Sequence, residues 1–260
     1  MIFEIALMTG LSIALMAFFA EYADSSLGMG YGTSLTPILL LMGFEPLQVV
    51  PSVLVSELVT GILAGIMHHK AGNVSFGREK GKISRDTTIM AVIAACSIVG
   101  TVAAVVMAVS LPPIYVKLYI GILMTSMGAF ILITSRKIFP FSWTKITAIG
   151  MTASFNKGIS GGGYGPLVTG GQMISGVKSR NAVGITSLAE GLTCAVGIAA
   201  YIAWAALVDW TLVPYLTAGA VLSVPLSAKT VKKINHGTLR VLIGVATLIL
   251  GAFTIVKIFM

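Results

Sequence analysis

The chain has 260 residues, of which 56% are hydrophobic and 10% are charged, with a mean hydropathy of +0.96 and a net charge of +8. A soluble domain carries about 25% charged residues, so this composition excludes an ordinary soluble protein and predicts an all-α, polytopic bundle of transmembrane helices. The basic residues lie mostly in short loops between apolar runs, which favours contact with membrane lipids and argues against a nucleic-acid partner.

The first half of the sequence opens with an apolar segment that a glycine-rich phrase interrupts. Residues 1–20 lack a basic start and include Glu4, so we expect them to belong to the mature fold rather than to a cleaved signal peptide. The phrase Gly28-Met29-Gly30-Tyr31-Gly32 favours a helix break, because glycine permits sharp reversals of the backbone. Too few residues for a span remain before Gly43, so we expect a broken or re-entrant helix. Runs of spanning length follow at 49–67, 87–110 and 115–134.

The second half of the sequence repeats this order. A basic linker at 135–143 separates a first transmembrane repeat at 1–134 from a second at 144–260. The phrase Gly161-Gly162-Gly163-Tyr164-Gly165 interrupts the segment at 150–175, and apolar runs follow at 182–207 and 238–259. Alignment of the two phrases gives further identities: Thr36/Thr169, Gly43/Gly176, Val50/Val183, Glu57/Glu190 and Thr60/Thr193. Such a doubled interruption is typical of transporters built from two related halves.

The distribution of lysine and arginine predicts the orientation of these repeats. Most of them lie in the loops at 69–86, 135–145, 176–181 and 229–240. If these loops are cytoplasmic, both termini face outside the cell. Loop 69–86 aligns with the region around Asp209, and loop 229–240 aligns with the turn at Pro112, where basic residues are scarce. Equivalent loops are therefore expected on opposite sides of the membrane, as in inverted repeats.

The two breaks are the predicted substrate site. Backbone N–H groups freed at a break cannot stay unpaired in lipid, so both tips should face a cavity near the middle of the membrane. The half-helix after each break would direct its N–H groups and positive dipole end at an anion. The predicted substrate-binding residues at the breaks are Gly28, Gly30, Tyr31, Gly32, Thr33, Ser34, Ser160, Gly161, Gly162, Gly163, Tyr164 and Gly165. The alternative is that these glycines serve only close helix packing.

Charged residues inside the apolar segments are further candidates. Glu57 and Glu190 lie at equivalent positions, where a carboxylate costs roughly 2.5–3.5 kcal/mol, so each either fixes a broken helix or carries a coupling proton. Lys157 aligns with Asp24, and it either pairs with Asp24 across the pseudo-axis or binds the anion directly as a further substrate-binding residue. Glu21, Asp24 and Asn156 are additional candidates for the cavity wall, where Asp24 would be a further coupling or structural carboxylate.

Other reactive residues give no sign of catalysis or metal binding. His68 and His69 end a span beside Lys70, where we expect them to be interfacial residues rather than metal ligands. Cys96 and Cys194 fall inside apolar runs and are expected to behave as small hydrophobic residues. No phosphate-binding loop or hydrolase motif is present in the sequence. We therefore expect no metal, no cofactor and no enzymatic activity.

The doubled phrase and its surroundings resemble the TauE/SafE sulfite/organosulfonate exporter family, including 4-toluene sulfonate uptake permease-like transporters. Besides the glycine phrases, the resemblance rests on segments 36–39, 50–52 and 184–188 and on the ending Val208-Asp209-Trp210. It implies a transporter in the cell membrane for small sulfur-containing or carboxylated anions. The first half departs from the family pattern at Met29 and lacks an Asp-Trp pair at 73–76, which implies unequal roles for the two halves.

Together these patterns predict a secondary transporter that binds a small anion near the midplane between the breaks. The expected partners are the anionic substrate, membrane lipids, a coupling proton or another ion, and a second copy of the chain. A passive anion channel and an intramembrane enzyme are the alternatives. Exchange of internal for external substrate would distinguish a carrier from a channel, because a channel shows no such stimulation.

Overall fold

The computed structural model describes residues 7–79, 81–133, 141–205, 208, 210–230 and 236–259. The first half of the described chain contains α1 (Leu7–Leu27), α2 (Tyr31–Leu41), α3 (Pro46–Lys70), β1 (Arg78–Glu79), β2 (Lys82–Ile83), α4 (Arg85–Ser110) and α5 (Pro113–Ile133). The second half contains α6 (Trp143–Ser160), α7 (Tyr164–Ile174), α8 (Ser179–Ala205), α9 (Val213–Thr230) and α10 (His236–Phe259). The predicted all-α, polytopic bundle is confirmed.

Several of these helices are long and apolar enough to cross a membrane. They are Leu7–Leu27, Pro46–Lys70, Arg85–Ser110, Pro113–Ile133 and Ser179–Trp204. Their outward faces are apolar and their inward faces carry the polar groups, which is the arrangement that lipid favours. On α1, for example, Leu11, Leu15 and Phe19 are exposed, whereas Glu21 and Asp24 are buried.

Both glycine phrases break a helix, as the sequence predicts. The first break separates α1 from α2, and Gly28 and Gly30 there have φ angles of 69° and 140°. The second break separates α6 from α7, and Gly161 and Gly163 have φ angles of 69° and 73°. Because side chains other than hydrogen disfavour such positive angles, glycine at these positions makes the reversal possible. The half-helices α2 and α7 that follow each have 11 residues.

The main contacts between helices are the same when the helices of the first half are interchanged with those of the second. Helix α1 packs on α9 as α6 packs on α4, and α3 packs on α9 as α8 packs on α4. The pairs α3 with α8 and α5 with α10 each consist of equivalent helices. Mapping α1–α5 onto α6–α10 therefore reproduces the main contacts, as expected for two repeats related by a pseudo-two-fold axis.

The loop regions bear less directly on the sequence predictions. The basic loop after α3 contains a short antiparallel hairpin, with Arg78 opposite Ile83 and Glu79 opposite Lys82, which the sequence did not indicate. Most of the predicted linker at 135–143, and Asp209 of the family-like ending, lie outside the described residues. The repeat boundaries at 1–134 and 144–260 and the membrane orientation stay predictions.

Candidate functional site

The two breaks meet in the interior of the bundle. A Cβ atom on Gly32 would collide with the carbonyl oxygen of Gly161, and one on Gly165 would collide with the carbonyl oxygen of Gly28. These reciprocal contacts place the start of each half-helix against the opposite break. The glycines therefore have two separate roles, since Gly32 and Gly165 permit close packing whereas the positive-φ glycines form the reversals.

Carboxylate side chains occupy the N-terminus of α2. The Tyr31 N–H donates to Asp24 Oδ1 (3.3 Å), and the Gly32 N–H donates to Glu57 Oε1 (3.3 Å). Negative charge at a helix N-terminus is favourable because it pairs free N–H groups and opposes the helix dipole. The amides expected to bind a substrate anion on this half are therefore already paired with the protein's own carboxylates. This arrangement matches the structural role considered for Glu57.

The free N–H groups at the second break have partners of another kind, namely side-chain hydroxyl groups. The Gly163 N–H donates to Thr33 Oγ1 (3.2 Å), so a side chain of the first half-helix caps the second. The Gly162 N–H donates to Ser160 Oγ (3.1 Å), and this hydroxyl also lies 2.6 Å from the Asn156 carbonyl oxygen. Where the first half places Asp24, the second half places Lys157. Both breaks thus have glycines with positive φ angles, but a carboxylate lies beside the first break and an ammonium group beside the second.

Lys157 is the centre of this polar interior. It lies in the last turn of α6, and its side chain has no exposed surface. Its ammonium group forms ion pairs with Glu190 Oε1, at 2.7 Å, and with Glu57 Oε2. The structure thus pairs one lysine with a carboxylate from each repeat. It does not show the ion pair between Lys157 and Asp24 that the sequence suggested. Removing one partner from a buried pair typically costs 3–5 kcal/mol.

A small cavity lies beside these ion pairs, between α1, α3 and α8. It is lined by Glu21, Asp24, Glu57, Thr60, Gly61, Ser187 and Glu190. Its volume is about 10 Å³, which is space for about one water molecule. Glu190 Oε2 is buried and has no hydrogen-bond partner. The centre of the protein is therefore closed and strongly acidic.

The predicted tyrosines are buried at the breaks, but their hydroxyls already have partners. The Tyr31 hydroxyl lies 2.7 Å from Ser56 Oγ, and the Tyr164 hydroxyl lies 3.2 Å from Thr193 Oγ1, whose own hydrogen is donated to the Ala189 carbonyl oxygen (2.8 Å). Both rings have no exposed surface. Ser34 is half-buried in the first turn of α2, and its N–H donates to the Gly30 carbonyl oxygen (2.9 Å). In this conformation the tyrosines hold the half-helices in place rather than presenting free donors.

The prediction that His68 is an interfacial residue is wrong. His68 is fully buried, and its Nε2 lies 2.7 Å from the Ser25 carbonyl oxygen. Its Nδ1 lies 3.0 Å from Asn73 Nδ2, an amide nitrogen that can only donate. Nδ1 therefore accepts and Nε2 donates, which joins the end of α1 to the end of α3. Ser25 is distant from His68 in sequence, so no local pattern could have indicated this contact.

Larger cavities exist, but the polar site residues do not line them. A groove of about 230 Å³ lies at Leu40, Ile114, Lys117 and Lys257, and another of about 570 Å³ lies at Phe130, Ile149 and Leu167. Size alone would favour these surface grooves. The buried charges and the convergence of both repeats favour the closed centre as the functional site.

The comparisons with known proteins agree with this architecture. The profile of the family described as "Sulfite exporter TauE/SafE" matches residues 13–254. The chain is also similar to the protein described as "Probable membrane transporter protein YtnM" of Bacillus subtilis (strain 168), with 27% identity over 257 residues, 94% of this chain and 82% of that protein. No solved structure matches the chain. The family match spans both breaks and all the buried charges, and the chain belongs to the sulfite exporter TauE/SafE family.

Proposed function

We propose that this membrane transporter carries a small oxyanion, such as sulfite or an organosulfonate, which binds at Lys157 between the two breaks. The observation that carries the proposal is the position of Lys157, a fully buried lysine held by Glu57 of one repeat and Glu190 of the other. A buried ammonium group shared between repeats is a counter-ion that an anion could take over when the carboxylates release it. The family's description supports the substrate class.

Proton coupling follows from competition for this lysine. An oxyanion and an ionised carboxylate cannot both occupy the same ammonium group in a small, dry interior without strong repulsion. Protonation of Glu57 or Glu190 would free Lys157 and also remove a negative charge beside the anion. Anion and proton then bind together and move in the same direction. This adds a coupling role to the structural one that Glu57 already has at the start of α2.

The closed centre favours a carrier over the alternative of a channel. The breaks touch through backbone atoms, and the cavity beside them holds about one water molecule. A carrier would open this centre alternately by moving one repeat, or its half-helix, against the other. We propose that it does so in the cell membrane with the basic loops in the cytoplasm, and that it does not act as an enzyme.

Substrate exchange in liposomes tests this function directly. Purified protein is reconstituted with unlabelled sulfite, sulfate, thiosulfate, taurine, sulfoacetate or lactate inside, and uptake of the labelled compound is measured. We expect internal substrate to accelerate uptake for at least one sulfur-containing anion. Uptake without such stimulation would support a channel, and the absence of uptake for every compound would contradict the proposed substrate class.

Glu190→Gln is expected to weaken the pH dependence of anion binding. The amide cannot ionise, so it no longer competes for Lys157 at alkaline pH, and the affinity there should rise by about tenfold, or about 1.4 kcal/mol. Anion binding to purified protein across a pH series measures this change. Glu45→Gln is the matched control, because Glu45 pairs with Lys117 at the surface. A wild-type pH profile with full activity in Glu190→Gln would leave this carboxylate a structural role only.

A further inference from the structure

The acidic cavity shares Glu57 and Glu190 with the ion pairs of Lys157, and α1 adds two further carboxylates to it. Glu21 and Asp24 reach it from α1, Glu57 and Thr60 from α3, and Glu190 from α8. The positions equivalent to Glu21 and Asp24 in the second repeat are Ser154 and Lys157. The pseudo-symmetric interior is therefore polarised, with acids on the side of the first break and the lysine on the side of the second.

The charges in this interior do not balance when every carboxylate is ionised. Glu21, Asp24, Glu57 and Glu190 are all buried, and Lys157 offers a single positive charge. Burying uncompensated charges is expensive, so some of these carboxylates must bind a cation or a proton. Among the described residues, no group of three or more His, Cys, Asp or Glu side chains is placed to hold a metal ion. The hydrogen bonds of Glu21 favour a proton as this cation.

The hydrogen bonds of Glu21 leave room for a proton. Thr60 Oγ1 lies 3.1 Å from Glu21 Oε2 and 3.2 Å from the Ser56 carbonyl oxygen, but a hydroxyl has only one hydrogen to donate. When Glu21 Oε2 carries a proton, it can donate to Thr60 Oγ1, which then donates to the Ser56 carbonyl. Ser25 Oγ continues to donate to Glu21 Oε1, at 2.5 Å. Protonation therefore leaves every one of these groups satisfied.

Glu190 supplies the second observation. Its Oε2 atom is buried without a hydrogen-bond partner, in a residue that is only 4% exposed, and the residue lines the same cavity as Glu21. A polar cavity of this size fits one water molecule, which needs two to four polar partners. Such a water would satisfy Glu190 Oε2 and connect it to the carboxylates of α1.

We propose that Glu21 is a proton-carrying carboxyl group of the transport cycle, and that a water in the cavity passes protons between Glu21 and Glu190. The proposal rests on the proposed function, because Glu190 is also the group that competes with the anion for Lys157. A proton taken up at Glu21 and passed to Glu190 breaks the ion pair with Lys157. Proton entry on the acidic side thereby prepares the anion site on the basic side.

The groups that surround Glu21 are consistent with this path. The ionisable groups that face it are Asp24 of its own helix, Tyr31 of α2, Glu57 of α3 and Glu190 of α8, with Lys157 of α6 beyond them. Helix α9 packs along α1, but its Tyr215 lies against Gly10 and its Lys229 is exposed. On α10, Lys257 is exposed and donates to the Leu41 carbonyl oxygen. No lysine in the described part of these two helices lies in position to neutralise Glu21.

Infrared difference spectroscopy tests the proposal without any substrate. Membrane-reconstituted protein is titrated from alkaline to acidic pH, and the carbonyl bands of protonated carboxyl groups are recorded. We expect Glu21→Gln to lose one titrating band and the surface variant Glu45→Gln to keep it. Thr60→Val removes the proposed acceptor of the proton on Glu21, so it should shift that band. An identical set of bands in wild type and Glu21→Gln would overturn the proposal.

Transport measurements on the Glu21→Gln variant are the second test of the proposal. At equal pH on both sides, substrate exchange needs no net proton movement, so it should fall less than accumulation driven by a pH gradient. Accumulation driven by a pH gradient should fall by about tenfold or more, because the proton carrier is missing. An equal fall of exchange and accumulation, or retention of both, would contradict a proton-carrying role. If the wild type exchanges no anion, the proposed function fails, while the infrared titration still decides whether Glu21 binds a proton.

Discussion

Lys157→Met is expected to abolish anion exchange and to destabilise the protein by about 3–5 kcal/mol. The substitution leaves the carboxylates of Glu57 and Glu190 buried without their counter-ion. It also removes the positive charge that the proposed substrate requires. Substrate exchange in liposomes measures the first effect, and the thermal unfolding midpoint in detergent measures the second.

Two further variants separate charge from stability in this prediction. The triple variant Lys157→Met, Glu57→Gln, Glu190→Gln removes the lysine together with both of its ion-pair partners, so it should unfold at a higher temperature than Lys157→Met and remain inactive. Lys117→Met is the matched control, because Lys117 forms an ion pair with Glu45 at the surface, where such pairs are worth about 0–1 kcal/mol. Wild-type exchange by Lys157→Met would remove Lys157 from the mechanism.

Gly163→Val is expected to abolish transport while leaving membrane insertion largely intact. Gly163 has a φ angle of +73°, and a Cβ atom there would lie 3.2 Å from Leu123 Cδ2. A β-branched residue is a strong outlier at positive φ, and such strain costs on the order of 1–3 kcal/mol. The second break would have to rearrange, and with it the contact of the Gly163 N–H with Thr33. Substrate exchange and the amount of protein in the membrane fraction are the two measurements.

Gly170→Ala is the control for this change. Gly170 lies on α7 and has an ordinary contact distance of 3.7 Å from its Cβ position to Phe130, without a positive φ angle. We expect this variant to transport at close to the wild-type rate. Normal flux through Gly163→Val would show that the mechanism does not depend on the shape of the second break.

The helix breaks were predictable because glycine acts locally. The phrases at 28–32 and 161–165 determine where the backbone can reverse, whatever packs against them. The equivalent positions of Glu57 and Glu190 were likewise visible, because a charge inside an apolar run stands out and alignment of the repeats pairs them. The resemblance to the TauE/SafE family rested on the glycine phrases and on short segments near them, and the family match confirms it.

The partners of the buried charges were not predictable in the same way. Lys157 was expected either to pair with Asp24, its equivalent residue, or to bind the anion, and the structure shows it paired with Glu57 and Glu190. Which carboxylate a lysine reaches depends on helix rotation and spacing, and these are set by packing between distant segments. Glu21 carried one weak signal, since Asp24 and Ser25 follow it one turn later, on the same face of α1.

The occupied N-terminus of α2 changes the role of the helix breaks. One anion was expected to bind between the two breaks through the N–H groups of both half-helices, but Asp24 and Glu57 already bind the amides of Tyr31 and Gly32. The first break thus resembles a site filled by the protein's own carboxylates, whereas the second has a lysine beside it. This inequality agrees with the departure of the first half from the family pattern at Met29. It favours binding of the anion on the side of the second break.

Proton uptake on anion binding is the most direct test of this account. Titration calorimetry with a sulfonate that binds, in buffers of different ionisation enthalpy, measures the protons taken up for each anion. A sulfonate keeps its charge near neutral pH, so the protons must come to the protein. We expect net proton uptake by the wild type and no detectable binding by Lys157→Met. Binding without proton uptake, or equal binding by Lys157→Met, would contradict the claim that the anion replaces a buried carboxylate at this lysine.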